Sequence, residues 1–213
     1  TIDSILAFLS RTEKQNDFLM DTVFPKSRSI KPTLEIVIPM AGLGTRFQTS
    51  GYTKPKPFID VFDRPMIEWV INNVRPKHQK AHITFLCNQT QLNHFHMSDK
   101  LLRLAPDSSI VTVPGITEGA ACTVLLAMDS IDPSRPLLIA NSDQWVEADI
   151  DDFLNHAKQP PCDGLIMTFP ATDKKWSYAK TDFAGRVIEV AEKNPISPHA
   201  AVGIYYFKQG ADL

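Results

Sequence analysis

Leu34-Glu35-Ile36-Val37-Ile38-Pro39, running straight into Met40-Ala41-Gly42-Leu43-Gly44-Thr45-Arg46-Phe47, is the stretch on which the fold turns. The first six residues are a short, mostly apolar run with β-branched Ile36-Val37-Ile38 at its centre, the pattern of a buried strand. The next eight place two glycines where a strand should hand over to a helix. In an open α/β sheet, ligands collect beyond the carboxyl ends of the strands, so the loop after this strand is the first place to look for a site. Backbone N–H groups at Gly42 and Gly44 can turn toward an anion, and Arg46 can grip phosphate oxygens with two nitrogens. The loop lacks the third glycine of G-x-G-x-x-G and the Gly-Lys-Ser/Thr of a P-loop, so neither of those fingerprints is present.

Working outward, strand-like and helix-like patterns alternate. Residues 65–74 read as a helix opened by proline, 81–87 as a strand, 92–104 as a helix and 109–113 as a strand. Residues 118–131 read as a helix of small residues, and 136–140 as another strand. Such alternation predicts an α/β fold, a doubly wound and mostly parallel sheet covered on both faces. The last third differs: 163–168, 176–181, 186–191 and 200–207 are strands with little helix between them, and 182–185 a turn. These are expected to join the sheet partly antiparallel. Before all of this, Ile2, Ile5, Leu6 and Leu9 recur at helical spacing, and the proline-bracketed residues 25–32 form a linker. Two parts are therefore expected, a helical extension and linker over residues 1–33 and a single domain over 34–213.

Composition bounds the rest. The 213 residues carry 43% hydrophobic and 22% charged side chains and a formal net charge of −2, an ordinary globular balance with no general pull toward nucleic acid or an acidic membrane. Cys87, Cys122 and Cys162 are scattered and odd in number, which argues for a reducing compartment and for cysteines that act as small core fillers. No run approaches the roughly 20 apolar residues of a membrane helix, and the start has no basic leader, so a cytoplasmic protein is expected. His94 and His96, two apart on a predicted helix, point to different faces and are expected at the surface rather than on a metal.

The glycine loop gains weight from the segment ten residues further on. Lys54-Pro55-Lys56-Pro57-Phe58 flanks Lys56 with prolines that restrict its backbone and aim its ammonium, where it can neutralise charge on a transferred phosphoryl group. Gly42-x-Gly44-Thr45-Arg46-Phe47, then Lys56-Pro57-Phe58-Ile59-Asp60-Val61, then Arg64-Pro65-Met66-Ile67-Glu68 together resemble the sugar-phosphate nucleotidyltransferases, of the glucose-1-phosphate thymidylyltransferase kind. The resemblance runs from about residue 34 to the end and covers none of residues 1–33.

That resemblance implies transfer of a nucleoside monophosphate from an NTP to a sugar 1-phosphate, with release of pyrophosphate, for surface polysaccharide precursors. The alternatives are a cytidylyltransferase acting on a non-sugar phosphate such as phosphocholine, and a non-catalytic nucleotide-binding module. It implies Arg46 and Lys56 as the groups that hold the triphosphate, and Asp143, after the strand at 136–140, as a Mg2+ ligand; an Asx turn would equally place an aspartate there. It implies a nucleotide pocket from Ala41, Gly42, Gly44, Thr45, Gly115, Glu118 and Gly119, Glu118 being equally a helix cap. It implies acceptor contacts at Tyr178, Ala179, Glu192 and Lys193, with Ala179 standing where the family usually has glycine. Trp176 and Lys180 read equally as edge-strand residues, and Lys54 as a solvated charge. A homo-oligomer is compatible with the resemblance; nucleic-acid and membrane partners are not expected. The family's second metal aspartate falls beyond the strand at 200–207, and Asp212 comes too early to replace it, so a domain truncated at its C-terminus is expected. A metal-dependent glycosyltransferase would want D-x-D, and Asn141-Ser142-Asp143 offers one acid.

Overall fold

A computed structural model describes residues 32–213, apart from Ile116, Glu118 and Pro160. The expected helical extension and most of its linker lie outside the described residues. Strands β1 (Leu34–Met40), β4 (Ala81–Asn88), β5 (Ser109–Val113) and β6 (Leu137–Ala140) form a parallel half-sheet in the order β5-β4-β1-β6. β1 pairs with β4 along its whole length, from Leu34 opposite Ala81 to Met40 opposite Cys87, and with β6 on its other edge. The chain winds outward from β1 through β4 to β5, then returns across the sheet to place β6 on β1's free side. The order therefore reverses between β1 and β6, the switch point at which an open α/β sheet parts to admit a ligand.

Side chains alternate across this sheet. Ile36, Ile38 and Met40 face α2 (Met66–Val74), α4 (Met97–Leu104) and α6 (Ile150–His156), while Val37 joins Leu86, Leu137 and Ile139 against α5 (Ala120–Leu125). α2 presents Ile67, Val70, Ile71 and Val74 at helical spacing, all within 1% of full burial. Truncating one of them to alanine costs about 2–5 kcal/mol, the usual range for emptying a packed core site.

Antiparallel strands complete the eight-stranded sheet. β10 (His199–Phe207) pairs with β6, with β7 (Gly164–Pro170) and briefly with β8 (Ser177–Thr181), and β9 (Val187–Glu192) forms the outer edge beside β8. The α/β architecture with a parallel core and added antiparallel strands is the expected one. Several elements depart from expectation. The single helix expected over 92–104 is two, α3 (Gln89–His94) and α4, broken at His96, whose φ of 50° no helix admits. The helix expected over 118–131 ends at Leu125 and resumes as a 3-10 turn, Met128–Ser130. Residues 45–49 of the glycine loop coil into a short helix, α1 (Thr45–Thr49), and a small hairpin, β2 (Asp60–Val61) with β3 (Arg64–Pro65), stands before α2. Trp176 and Lys180 are not on the edge: Trp176 precedes β8, and β8 lies inside β9. Of the cysteines, Cys87 is a core filler, but Cys122 is exposed and Cys162 only half-buried. His94 and His96 are both at the surface.

Candidate functional site

The carboxyl ends of β1 and β6 open into a cleft of about 360 Å3. Pro39 to Gly42 and Gly44 form one wall, Asn141, Ser142 and Asp143 a second, and Thr117, Gly119, Ala120 and Thr123 a third, with Lys56 and Pro57 between. Each wall is held by its own local chemistry.

Gly44 has φ +62° and initiates α1. Its backbone runs so close to the next segment that an added Cβ would lie 3.2 Å from Lys56 Cβ. Glycine is thus required there twice, for its left-handed backbone and for the approach of Lys56. The Leu43 carbonyl accepts from Gln48 Nε2 at 3.1 Å and from the largely buried Gln91 at 3.5 Å, which braces the loop from two helices.

Lys56 begins a 3-10 turn, Lys56–Phe58, closed by Phe58 N–H donating to the Pro55 carbonyl at 2.8 Å. Pro57 and Phe58 are buried, so the turn is anchored from below and the lysine stem is directed upward. The Lys56 ammonium donates to an Asp143 carboxylate oxygen and lies 5.3 Å from the Phe47 ring centroid. The two side chains of this pair are 32% and 26% exposed. A part-exposed pair of that kind contributes only about 0–1 kcal/mol to stability. Its partners remain free to exchange one another for a ligand.

The Asp143 loop is held from two sides. Asn141 N–H donates to the Gly203 carbonyl at 3.0 Å, and Asn141 Nδ2 donates to Gln144 Oε1 at 2.8 Å. Asn73 of α2 clamps the far end, accepting from Val146 N–H at 3.0 Å and donating to its carbonyl at 2.9 Å. Gly203 sits at φ +82° in an irregularity of β10, and a Cβ there would collide with both Asn141 and Gln144. This glycine was missed in the sequence; a glycine inside a strand pattern is the signal for such a bulge or close approach. Thr123 was missed too. Its buried hydroxyl bonds to that of Thr117 and donates to the Gly119 carbonyl at 3.0 Å, shaping the third wall.

The structure thus brings together Ala41, Gly42, Gly44, Lys56, Gly119 and Asp143 of the residues singled out from sequence. Thr45, Arg46 and Gly115 are not part of the lining; Arg46 is exposed on α1, its carbonyl accepting from Thr49 and Ser50 hydroxyls at 2.9 Å each. Glu118 lies outside the described residues. The expected acceptor residues are not in the cleft either. Tyr178 is buried and spends its hydroxyl on the Asp173 carbonyl at 2.7 Å, its phenol pushed up by burial and by the Asp173 carboxylate. Ala179 is buried, with its carbonyl taken by Ser197 Oγ at 2.7 Å. Glu192 and Lys193 are exposed and paired with each other at 2.9 Å. Asp212 caps its own turn, and Gly210 and Ala211 beside it bond to the Arg135 and Pro133 carbonyls, at the end of β6 opposite Asp143.

Among the described residues no group of three or more His, Cys, Asp or Glu side chains could hold a metal ion, and no helix is long and apolar enough to cross a membrane. The acidic pair at the start of α6, Asp149 and Asp151, is already committed. Asp149 caps the helix and holds Lys77 at 2.8 Å, while Asp151 accepts from the backbone of Lys77 and His78. The Lys77 ammonium and the Asp151 N–H hold the Asp149 carboxyl below its ordinary value.

A family model described as nucleotidyl transferase matches residues 35–212. Among solved structures, a nucleoside-diphosphate-sugar pyrophosphorylase from Vibrio cholerae superposes with a TM-score of 0.66 at 28% identity, covering 83% of this chain and 74% of that one. The inositol-1-phosphate CTP transferase of T. maritima shares the fold, with a TM-score of 0.68 at 12% identity over 82% of this chain and 70% of its own. Among curated proteins, the bifunctional protein GlmU of Methanococcus aeolicus is 26% identical over 180 residues, 82% of this chain and 40% of that protein. A UTP–glucose-1-phosphate uridylyltransferase of Komagataeibacter xylinus is 46% identical over 46 residues, 22% of this chain and 16% of its own. The chain therefore spans less than half the length of these curated relatives.

Proposed function

The chain belongs to the nucleotidyl transferase family, and from that premise we propose that it transfers a nucleoside monophosphate from an NTP to a sugar 1-phosphate, releasing pyrophosphate. The observation that carries this reading is the Lys56–Asp143 pair at the switch point, with the glycine loop on one side of it. A phosphate chain laid along that loop meets backbone N–H groups and then the Lys56 ammonium. The exposed Arg46, the second residue of α1, is the group that would reach the outer phosphates from the rim.

A single part-exposed carboxylate at a strand end suits Mg2+, which takes one or two carboxylates and completes its shell with phosphate oxygens and water. Asp143 would hold the ion, whose contribution when bound is to draw negative charge from the triphosphate. Lys56, released from Asp143, then neutralises the phosphoryl group under attack. An oxygen of the acceptor phosphate forms a bond to the α-phosphorus while the bond to the β-bridging oxygen breaks, and pyrophosphate leaves with that electron pair. The acceptor oxygen is already anionic, so no strong general base is needed. The protein's work is alignment and charge neutralisation. An NDP-sugar product suits the supply of polysaccharide precursors.

The test is a screen of four NTPs against glucose 1-phosphate, inositol 1-phosphate and phosphocholine, with Mg2+ and a pyrophosphate readout. Release with a sugar 1-phosphate is expected. NTP binding without release from any acceptor would reduce the chain to a nucleotide-binding module.

A further inference from the structure

Phe47 closes the glycine-loop motif, and the loop's own chemistry sets where its ring lies. Its N–H donates to the Gly44 carbonyl at 2.9 Å, and its carbonyl accepts from the Ser50 and Tyr52 N–H groups at 3.1 Å each. The Tyr52 ring packs against the Phe47 ring at an interplanar angle of 66° with centroids 5.7 Å apart, the edge-to-face form that aromatic pairs favour. Backbone and ring of residue 47 are therefore both tied to the short helix α1 and the turn that follows it. The half-buried Phe47 ring has the Lys56 ammonium 5.3 Å from its centroid, within the range at which a cation is drawn to the negative face of a ring. Gly44 permits this meeting, since a Cβ there would lie 3.2 Å from Lys56 Cβ.

The contact answers a difficulty that the Lys56–Asp143 pair creates. The proposed transfer needs Asp143 to turn to the ion and Lys56 to leave it for a phosphate oxygen. The Lys56 side chain is 32% exposed, so once freed from its carboxylate it would range into water. Lysine is among the side chains that lose most entropy on being fixed. A second carboxylate would restrain it, but would set more negative charge against the triphosphate. A ring face restrains it without net charge and leaves its N–H donors available for phosphate.

We propose that Phe47 is a positioning residue for nucleotidyl transfer: its ring face, braced by Tyr52, holds the Lys56 ammonium beside the glycine loop once Asp143 releases it. Phe47 touches no substrate in this role and acts through Lys56 alone. The inference rests on the cleft's being the nucleotidyl-transfer site.

Fluorine substitution distinguishes this role from ordinary packing, because each fluorine draws electron density from the ring face with little change in its size. Mono-, di- and trifluorinated phenylalanine at position 47 should lower kcat for pyrophosphate release stepwise, to about fivefold below wild type, with the acceptor KM unchanged. Rates indifferent to fluorination overturn the proposal. NMR of the substrate-free protein, labelled at lysine Cε, reads the contact without turnover. The Lys56 methylene signal, assigned by its loss in Lys56→Arg, should lie upfield under the ring's influence and return to the position of the exposed lysines in Phe47→Leu. A Lys56 signal already at that position in the wild type overturns the contact. A shifted signal in a wild type that releases no pyrophosphate from any acceptor would overturn the role through the transfer reading and not through the contact.

Discussion

Both ends of β1 and β6 carry a cation facing a carboxylate, and the two pairs could hardly be more differently built. At the amino ends, Glu35 is 2% exposed and its carboxylate is saturated, by Arg135 at 2.8 Å and by the His82 ring at 3.1 Å. The His82 ring is held in turn by Ser109 at 3.0 Å, so that one carboxylate fastens β1, β4, β5 and the approach to β6. At the carboxyl ends, Lys56 and Asp143 are paired with each other, and about a quarter to a third of each stays open to water. A buried carboxylate needs every partner it has, because an unmatched charge in a low-dielectric interior is costly. A part-exposed pair needs little and can part when a ligand offers something better. One end of the sheet holds the fold together and the other is available for chemistry.

The contrast is broken most sharply at the open end. Asp143→Asn and Lys56→Ala should each lower the rate of pyrophosphate release about 1,000-fold, roughly 4 kcal/mol of barrier. Thermal melts of the same variants should stay close to wild type. Glu35→Ala should do the reverse, losing about 3 kcal/mol in chemical denaturation and leaving the KM values for both substrates unchanged. That is the low end for breaking a pair built on a buried carboxylate, since Arg135 is itself partly exposed and Asp132 still holds its Nε at 3.0 Å.

Gly203 joins the two behaviours, for it lies in the core strand β10 and carries the Asp143 loop. Gly203→Ala should cost about 2 kcal/mol and also slow turnover, as its methyl group pushes Asn141 and Gln144 away. A loss of stability with full activity would detach this glycine from the site.

The smallest effects are expected at the thiols. Burial pushes the Cys87 thiol up to about 12, so at pH ~8 it should stay unmodified by a thiol reagent while Cys122, exposed on α5 beside the cleft, reacts. The stability Cys87 confers is intact below pH 9.0 and is lost as pH rises toward about 12, because the unfolded thiol ionises first. Bound NTP should slow the labelling of Cys122.

The parallel half of the sheet was legible because its signals are local: apolar runs such as 34–39, helical spacing such as Ile67-Val70-Ile71-Val74, and a glycine loop between strand and helix. The Lys56 segment could be read because its prolines and its spacing from the loop form one pattern. What escaped depends on partners far away in sequence. Nothing near Gly203 tells that Asn141 will press on it, and α6 is short and polar, secured by Asp149 and Asp151 to residues some 70 positions earlier. The His96 break in the helix expected over 92–104 has no glycine or proline to announce it. Tyr178 and Ala179 match a motif in one dimension, yet both side chains are buried.

The proposed chemistry requires the triphosphate to lie between the glycine loop and Asp143. A crystal structure with a non-hydrolysable NTP analogue, and with Mn2+ in place of Mg2+ so that its anomalous scattering locates it, tests this most directly. A peak is expected within coordination distance of the Asp143 carboxylate, about 2.1 Å, with the Lys56 ammonium moved from Asp143 onto a phosphate oxygen. A metal at Asp149 and Asp151 instead, or a triphosphate bound while Lys56 and Asp143 remain paired, would contradict it.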